Sequence, residues 1–321
     1  MNNTQETPSA VSEPKRRGRF VDFFSRLWKE KPLGTFCGMI VLLFILVALF
    51  ADVLAPYGYM EIHMFDMLQG PSAQYLLGTD HIGRDFLSRL IYGARLSLVV
   101  GLSATAVNVV VAVLIGGTSG FIGGKLDLVM QRFVDAWMAF PGLLILLTVM
   151  SIVGRGMPQI IVVLGITGGI GGSRVVRGAV ISIKENDYFL AARAVGVPTT
   201  QILIRHVLPN IASVLIIVFS INIGAVILSE ASLSFLGFGL PPGIPSWGGM
   251  LSREGRQYME SGPWLALWPG LCLTMVVFSF NMFGDALRDL FDPRLRGGEG
   301  RYGTAGKRKR GFLSRLLNPF A

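Results

Sequence analysis

Apolar residues along this chain come in long runs, separated by polar stretches marked with glycine and proline. A helix needs roughly 20 apolar residues to cross the hydrocarbon core of a bilayer. Runs of this character at 36–51, 96–122, 136–153, 159–173, 210–228 and 264–283 predict six transmembrane helices. The expected fold class is therefore an all-α polytopic membrane protein. Gly116, Gly120 and Gly124, spaced by four, mark a face for close helix packing in the second span. The fourth span carries Gly165, Gly168, Gly169, Gly171 and Gly172, a density that suits close packing or a deformable backbone near a path. Pro141 and Pro269 stand near the starts of the third and sixth spans.

One long polar stretch lies between the fourth and fifth spans. Asn186 or Asp187 is placed to cap a helix over 188–195. Gly196 suits the left-handed position just past it, and Pro198 prevents continuation. Thr199 or Thr200 is placed to cap a second helix, expected to stop near Leu208 because Pro209 follows. Ala191, Ala192 and Ala194 leave the first helix smooth, so that another surface can approach its backbone. The pattern also fits an amphipathic hairpin lying on the bilayer.

Charge changes the picture only by where it sits. The net charge is +9, yet only 15% of residues are charged and 51% are apolar. Lys15, Arg16, Arg17 and Arg19 precede the first span, Arg174 and Arg177 precede the polar stretch, and Lys307, Arg308, Lys309 and Arg310 lie in the C-terminal tail. The positive-inside rule then puts both termini and the polar stretch in the cytoplasm, and argues against nucleic acid as the partner of this charge. Residues 20–28 carry Phe20, Phe23, Phe24, Leu27 and Trp28 at helical spacing, which suits an interfacial helix. The basic tail suits anionic lipid. Cys37 and Cys272 fall within apolar runs and read as free thiols, and the three histidines show no metal-ligand spacing, so no metal site is expected.

Two further stretches fall on the outer side. Residues 52–95 hold Leu77-Gly78-Thr79-Asp80-His81-Ile82-Gly83-Arg84-Asp85, a glycine-punctuated, charge-paired turn leading to a helix. Residues 230–263 hold Ser234-Phe235-Leu236-Gly237-Phe238-Gly239-Leu240-Pro241-Pro242 and Pro245-Ser246-Trp247-Gly248, a shaped loop rather than a linker. Trp247, Trp264 and Trp268 suit the outer membrane interface.

The spacing Ala191-Ala192, Gly196 and Leu208-Pro209 resembles the coupling loop of ABC importer permeases. The 77–85 segment, the 234–248 segment and Gly284-Asp285-Ala286 through Asp292-Pro293-Arg294 resemble the second permease type of the dipeptide, oligopeptide and nickel importers. That resemblance covers roughly residues 30–296. It implies the type I importer permease fold. Asp187, Tyr188, Ala191, Ala192, Arg193, Gly196, Val197, Leu208 and Pro209 would contact an ATP-binding subunit, and Gly78, Thr79, Asp80, Gly83, Arg84 and Asp85 form the family signature. The implied partners are a homologous second permease, two ATP-binding subunits, an extracytoplasmic solute-binding protein and membrane lipid, in a cell (plasma or inner) membrane. No cofactor is expected on this chain, ATP and magnesium belonging to the partners. The organisation expected is a cytoplasmic N-terminal tail over 1–33, a first span and external segment over 34–95, a permease core over 96–285 containing the coupling loop 186–209, and a basic cytoplasmic tail over 286–321.

The remaining chemistry agrees with an energy source outside the chain. No Asp, Glu, Lys, Arg or His is expected well inside spans two to six, where Asn222 and Asn281 are the notable polar residues. Lys125 and Lys307 follow glycines but lack the rest of a phosphate-binding loop, and no nucleophile-and-base set points to an enzyme. The rival readings are a gradient-driven carrier or channel, and a membrane scaffold. Peptides are the first cargo expected, with nickel, glutathione or another small solute as alternatives.

Overall fold

The computed structural model describes residues 19–291, and among these it is helical without named strands. The two tails beyond them, with most of the basic tail clusters, lie outside the described residues. Helix α1 (Arg19–Glu30) leads directly into α2 (Pro32–Leu49), with a short α3 (Ala51–Leu54) after it. A long irregular segment then reaches α4 (Phe86–Ala112), which passes through a π turn at Val113–Gly117 into α5 (Thr118–Ile122). α6 (Gly124–Met138) and α7 (Gly142–Val153) follow, then α8 (Met157–Lys184). α9 (Asp187–Ala194) and α10 (Thr199–Ile202) precede α11 (Leu208–Phe235). α12 (Trp247–Met250) and α13 (Trp264–Phe291) complete the described chain.

Among the described residues, five helices are long and apolar enough to cross a membrane, and α6 with α7 makes a sixth if that pair is counted as one bent span. The pair bends by 90°. Pro141 explains the break, since it disfavours helical backbone at the residue before it. The third span is thus two helices at a right angle rather than one rod over 136–153. The second span begins at Phe86, not near residue 96, because Asp85 caps it there: the Asp85 carboxylate accepts from the Ser88 N–H at 2.8 Å. The fifth extends to Phe235 instead of ending near residue 228, and so takes Glu230 into a helix. Glu230 is fully buried, contrary to the expectation that spans two to six hold no acidic group. Its carboxylate accepts from Ser234 at 2.7 Å, and the Ser97 hydroxyl lies 3.5 Å away.

In lipid, apolar side chains gain little by leaving the hydrocarbon, so helices associate through close van der Waals packing. The principal contacts run between α4 and α8, with α11, α13 and α2 stacked onto them. Where α4 crosses α8, a Cβ on Gly165 would lie 2.4 Å from Val107 and one on Gly169 would lie 2.6 Å from Val111. Gly116 packs in the same way on α8, its added Cβ falling 2.1 Å from the Ser173 carbonyl, and Gly120 packs near Arg177. Gly124 does not join that face, as it starts α6 in open space. Leu27 of α1 is buried against Ala286 and Leu290 of α13, and Lys31 pairs with Asp289 at 2.6 Å.

Candidate functional site

The polar hairpin hangs from the end of the bundle where α8 stops. Phe189 is buried, edge-on to Phe121 with ring centroids 6.2 Å apart, in one cluster with Val176, Val180, Ile202 and Val207. Tyr188, Leu190, Val195 and Ile204 point the other way and are exposed. Gly196 takes φ +78° with open space around it, and the Val197 N–H closes on the Ala192 carbonyl at 3.1 Å. That wrap is the usual helix exit when glycine stands in the left-handed region. Ala191 is exposed and Ala192 half-buried, giving the outer side of α9 a low profile.

The second hairpin helix does not end near Leu208. A π turn at Leu203–Val207 joins α10 to α11, and the residues at both junctions, Ile202 and Leu208, keep right-handed helical backbone. Pro209 sits within the first turn of α11. A wider π turn just before a proline accommodates its ring and its missing N–H. The hairpin is therefore continuous in backbone with the fifth span.

An ion-pair web braces the base of the hairpin. Arg177 of α8 donates to both Asp127 carboxylate oxygens of α6 at 2.6 Å, and Ser119 also donates to Asp127. Lys184 donates to the Phe121 carbonyl at 2.8 Å and the Gly120 carbonyl at 3.2 Å. Arg174 pairs with Asp135.

The 77–85 signature lies at the opposite end. Gly78 and Gly83 have φ of +80° and +85°, and a Cβ on Gly83 would fall 1.9 Å from the His63 carbonyl. Thr79 bridges to Asp85, and the Trp264 indole donates to the Thr79 carbonyl at 3.2 Å. Asp80 is fully buried and accepts from the Arg84 Nε at 2.6 Å. Arg84 and Arg89 each donate to Glu254 Oε1, at 2.9 and 2.8 Å. Burial pushes the Glu254 carboxyl above the usual carboxylate range, while the Arg89 and Arg84 guanidiniums pull it back. Two acids and two guanidiniums balance here. Asp80, His81 and Glu254 offer ligand atoms within 4.8 Å of one another, but both carboxylates are already hydrogen-bonded to arginine. The network bolts the segment before α4 to the turn after α12, beside a cavity of about 760 Å³. Trp247 is fully buried, with its indole donating to the Leu90 carbonyl at 3.1 Å, so it packs the core instead of facing an interface.

A third feature, a groove of about 520 Å³, opens between α4, α7, α8 and α11. Asn108, Gly171 and Asn222 are among the residues on its walls.

Thus the structure separates the predicted residues into two sets at opposite ends of the bundle. Arg193 is within α9, its side chain outside what is described. Sequence reasoning missed Phe189, Glu254 and Asn108. Phe189 was legible as the one aromatic following Asp187-Tyr188 on the inner side of a short helix, but Glu254 became meaningful only through contacts spanning 165 and 170 residues.

The described residues thus define a polytopic helical membrane protein with a braced polar hairpin at one end. The family model described as "Binding-protein-dependent transport system inner membrane component" matches residues 108–297, and the "N-terminal TM domain of oligopeptide transport permease C" matches residues 19–71. The chain belongs to this importer permease family. It is 38% identical over 273 residues to the dipeptide transport system permease protein DppC of Alkalihalophilus pseudofirmus, covering 85% of this chain and 89% of that one. It is 37% identical to the glutathione transport system permease protein GsiD of Pectobacterium atrosepticum, over 85% of this chain and 91% of the relative. It is 36% identical to the oligopeptide transport system permease protein OppC of Bacillus subtilis, over 84% and 90%. Among solved structures, a chain of the inward-facing MetNI methionine ABC transporter is similar with a TM-score of 0.49 and 18% identity, covering 64% of this chain and 96% of that chain. The all-helical importer permease architecture and the multi-pass membrane character follow from the membership and the spans together.

Proposed function

We propose that this chain forms half of a pathway for short peptides and receives ATP-driven motion through residues 186–209. The observation that carries the reading is the hairpin's construction. Its inner side is anchored by Phe189, its outer side shows exposed Tyr188, Leu190 and small alanines, and its second limb is continuous with α11. A push on the outer side would therefore be delivered to a membrane-spanning helix rather than absorbed by a loose loop.

In this reading Asp187, Tyr188, Ala191, Ala192, Arg193, Gly196 and Val197 meet an ATP-binding subunit, and Leu208 and Pro209 belong to the lever that enters the membrane. The hairpin and both termini face the cytoplasm. The signature end faces outward, where a solute-binding protein delivers cargo, and a homologous second permease completes the pathway. ATP and magnesium act on two separate ATP-binding subunits. Relatives whose names specify dipeptides, oligopeptides and glutathione support a peptide cargo.

The test is affinity purification of the tagged chain from its native membrane, combined with uptake of a labelled dipeptide. Recovery of a second permease and ATP-binding subunits is expected, and Ala192→Trp should lose the ATP-binding subunits while keeping the second permease. Retention of those subunits and of normal uptake by Ala192→Trp would overturn the coupling role.

A further inference from the structure

The groove between α4, α7, α8 and α11 contains two features that packing within the chain does not account for. Asn108 is 2% exposed, and its Oδ1 has no hydrogen-bond partner. Its Nδ2 is held tightly against α8, where a Cβ on Gly168 would lie 2.3 Å away. Asn108 lies within the membrane-length helix that starts at Phe86, where no bulk water compensates an orphan amide oxygen. The oxygen itself is covered, so a donor from outside the chain would complete it once the Asn108 amide turns toward the groove it lines.

Gly171 is the second feature. A Cβ there would meet nothing within 4 Å, whereas Gly165 and Gly169 on the same helix are needed for contact with Val107 and Val111. Glycine weakens a helix interior. The chain's own packing does not call for one at Gly171, so the space it leaves fits an occupant from elsewhere.

The chemistry of the walls narrows that occupant. Among the described residues, the polar side chains lining the groove are Asn108, Thr167, Asn222, Ser229 and Ser232, with no acidic, basic or histidine residue beside them. Asn222, Ser229 and Ser232 donate to carbonyls of their own helix at 2.7 to 2.8 Å, which leaves their oxygens as free acceptors. A bare metal ion would call for anionic or imidazole ligands. Neutral acceptors suit N–H donors, and a peptide backbone supplies those whatever its side-chain charge.

We infer that Asn108 receives a hydrogen bond from a backbone N–H of the peptide cargo as it passes this groove, and that the groove's lack of charge lets peptides of either sign pass. The inference rests on the transport reading above. The rival occupant is a helix of the second permease.

The experiment uses the complete complex in vesicles, with ATP, the binding protein and labelled neutral, acidic and basic dipeptides. Asn108→Asp should shift the basic-to-acidic uptake ratio by roughly tenfold, as a charge placed beside the cargo requires. Asn108→Ala should lower the maximal rate for every peptide without moving the half-saturating concentration. Gly171→Leu should block uptake while the subunits still co-purify. An unchanged charge ratio in Asn108→Asp with normal wild-type peptide uptake overturns this inference alone. Loss of subunit assembly in Gly171→Leu also overturns it, by making the groove a helix contact. Failure of the wild-type complex to move any peptide, while it moves another solute, overturns the peptide reading and this inference together.

Discussion

At the residue scale, the strongest electrostatic commitment is Glu254, one carboxylate holding two buried guanidiniums, Arg84 and Arg89. Removing one member of a buried charge set leaves the others desolvated and uncompensated, a loss of about 3–5 kcal/mol. Glu254→Ala should therefore lower the thermal unfolding midpoint of the detergent-solubilised protein markedly, whereas Glu260→Ala, at an exposed position near by, should leave it nearly unchanged. Equal midpoints for the two variants would show that the network contributes little. Gly83 belongs to the same set of constraints, since its positive φ and the His63 carbonyl exclude any side chain. The glycine was legible in the sequence as a turn marker. The carbonyl that excludes a Cβ was not, because it comes from a residue 20 positions earlier whose approach depends on the folded loop.

At the scale of elements, the hairpin runs on into α11 through the π turn and is bent at Gly196. Gly196→Val places a β-branched residue at φ +78°, at a conformational cost of about 1–2 kcal/mol. Because the surrounding space is open, the variant should insert and assemble normally while ATP-dependent uptake falls. Uptake equal to wild type would show that the bend is not needed. Phe189→Ala acts differently: it removes the anchor against Phe121 and costs about 3–5 kcal/mol of local packing. Its expected signature is faster proteolysis within 186–198 together with weakened co-purification of the ATP-binding subunits; unchanged proteolysis would exclude the anchoring role. The first helix, its glycine exit and the proline break were all readable from sequence. The continuation through Pro209 was not, because proline's ordinary effect is to stop a helix, and only a π turn lets the backbone pass it.

At the scale of the whole molecule, the Asp127–Arg177 pair links α6 to α8 beside the hairpin. Asp127→Arg alone should reduce uptake strongly, and the exchange Asp127→Arg with Arg177→Asp should restore part of it. No restoration would indicate that the pair's orientation, or another partner such as Ser119, matters more than its complementary charge.

Hydrophobic run length by itself determined the membrane class, since crossing a bilayer demands a minimum length of apolar helix whatever the packing. Local backbone chemistry determined the hairpin turn at Gly196, while the right-angle break at Pro141 emerged only in the folded chain. Tertiary structure alone decided that Glu230 is buried within α11, that Glu254 joins the 77–85 signature, and that Asn108 faces a groove with no partner for its oxygen. Those outcomes depend on which faces of separate helices meet, and a pattern along one chain records the period of a face but not the surface it meets.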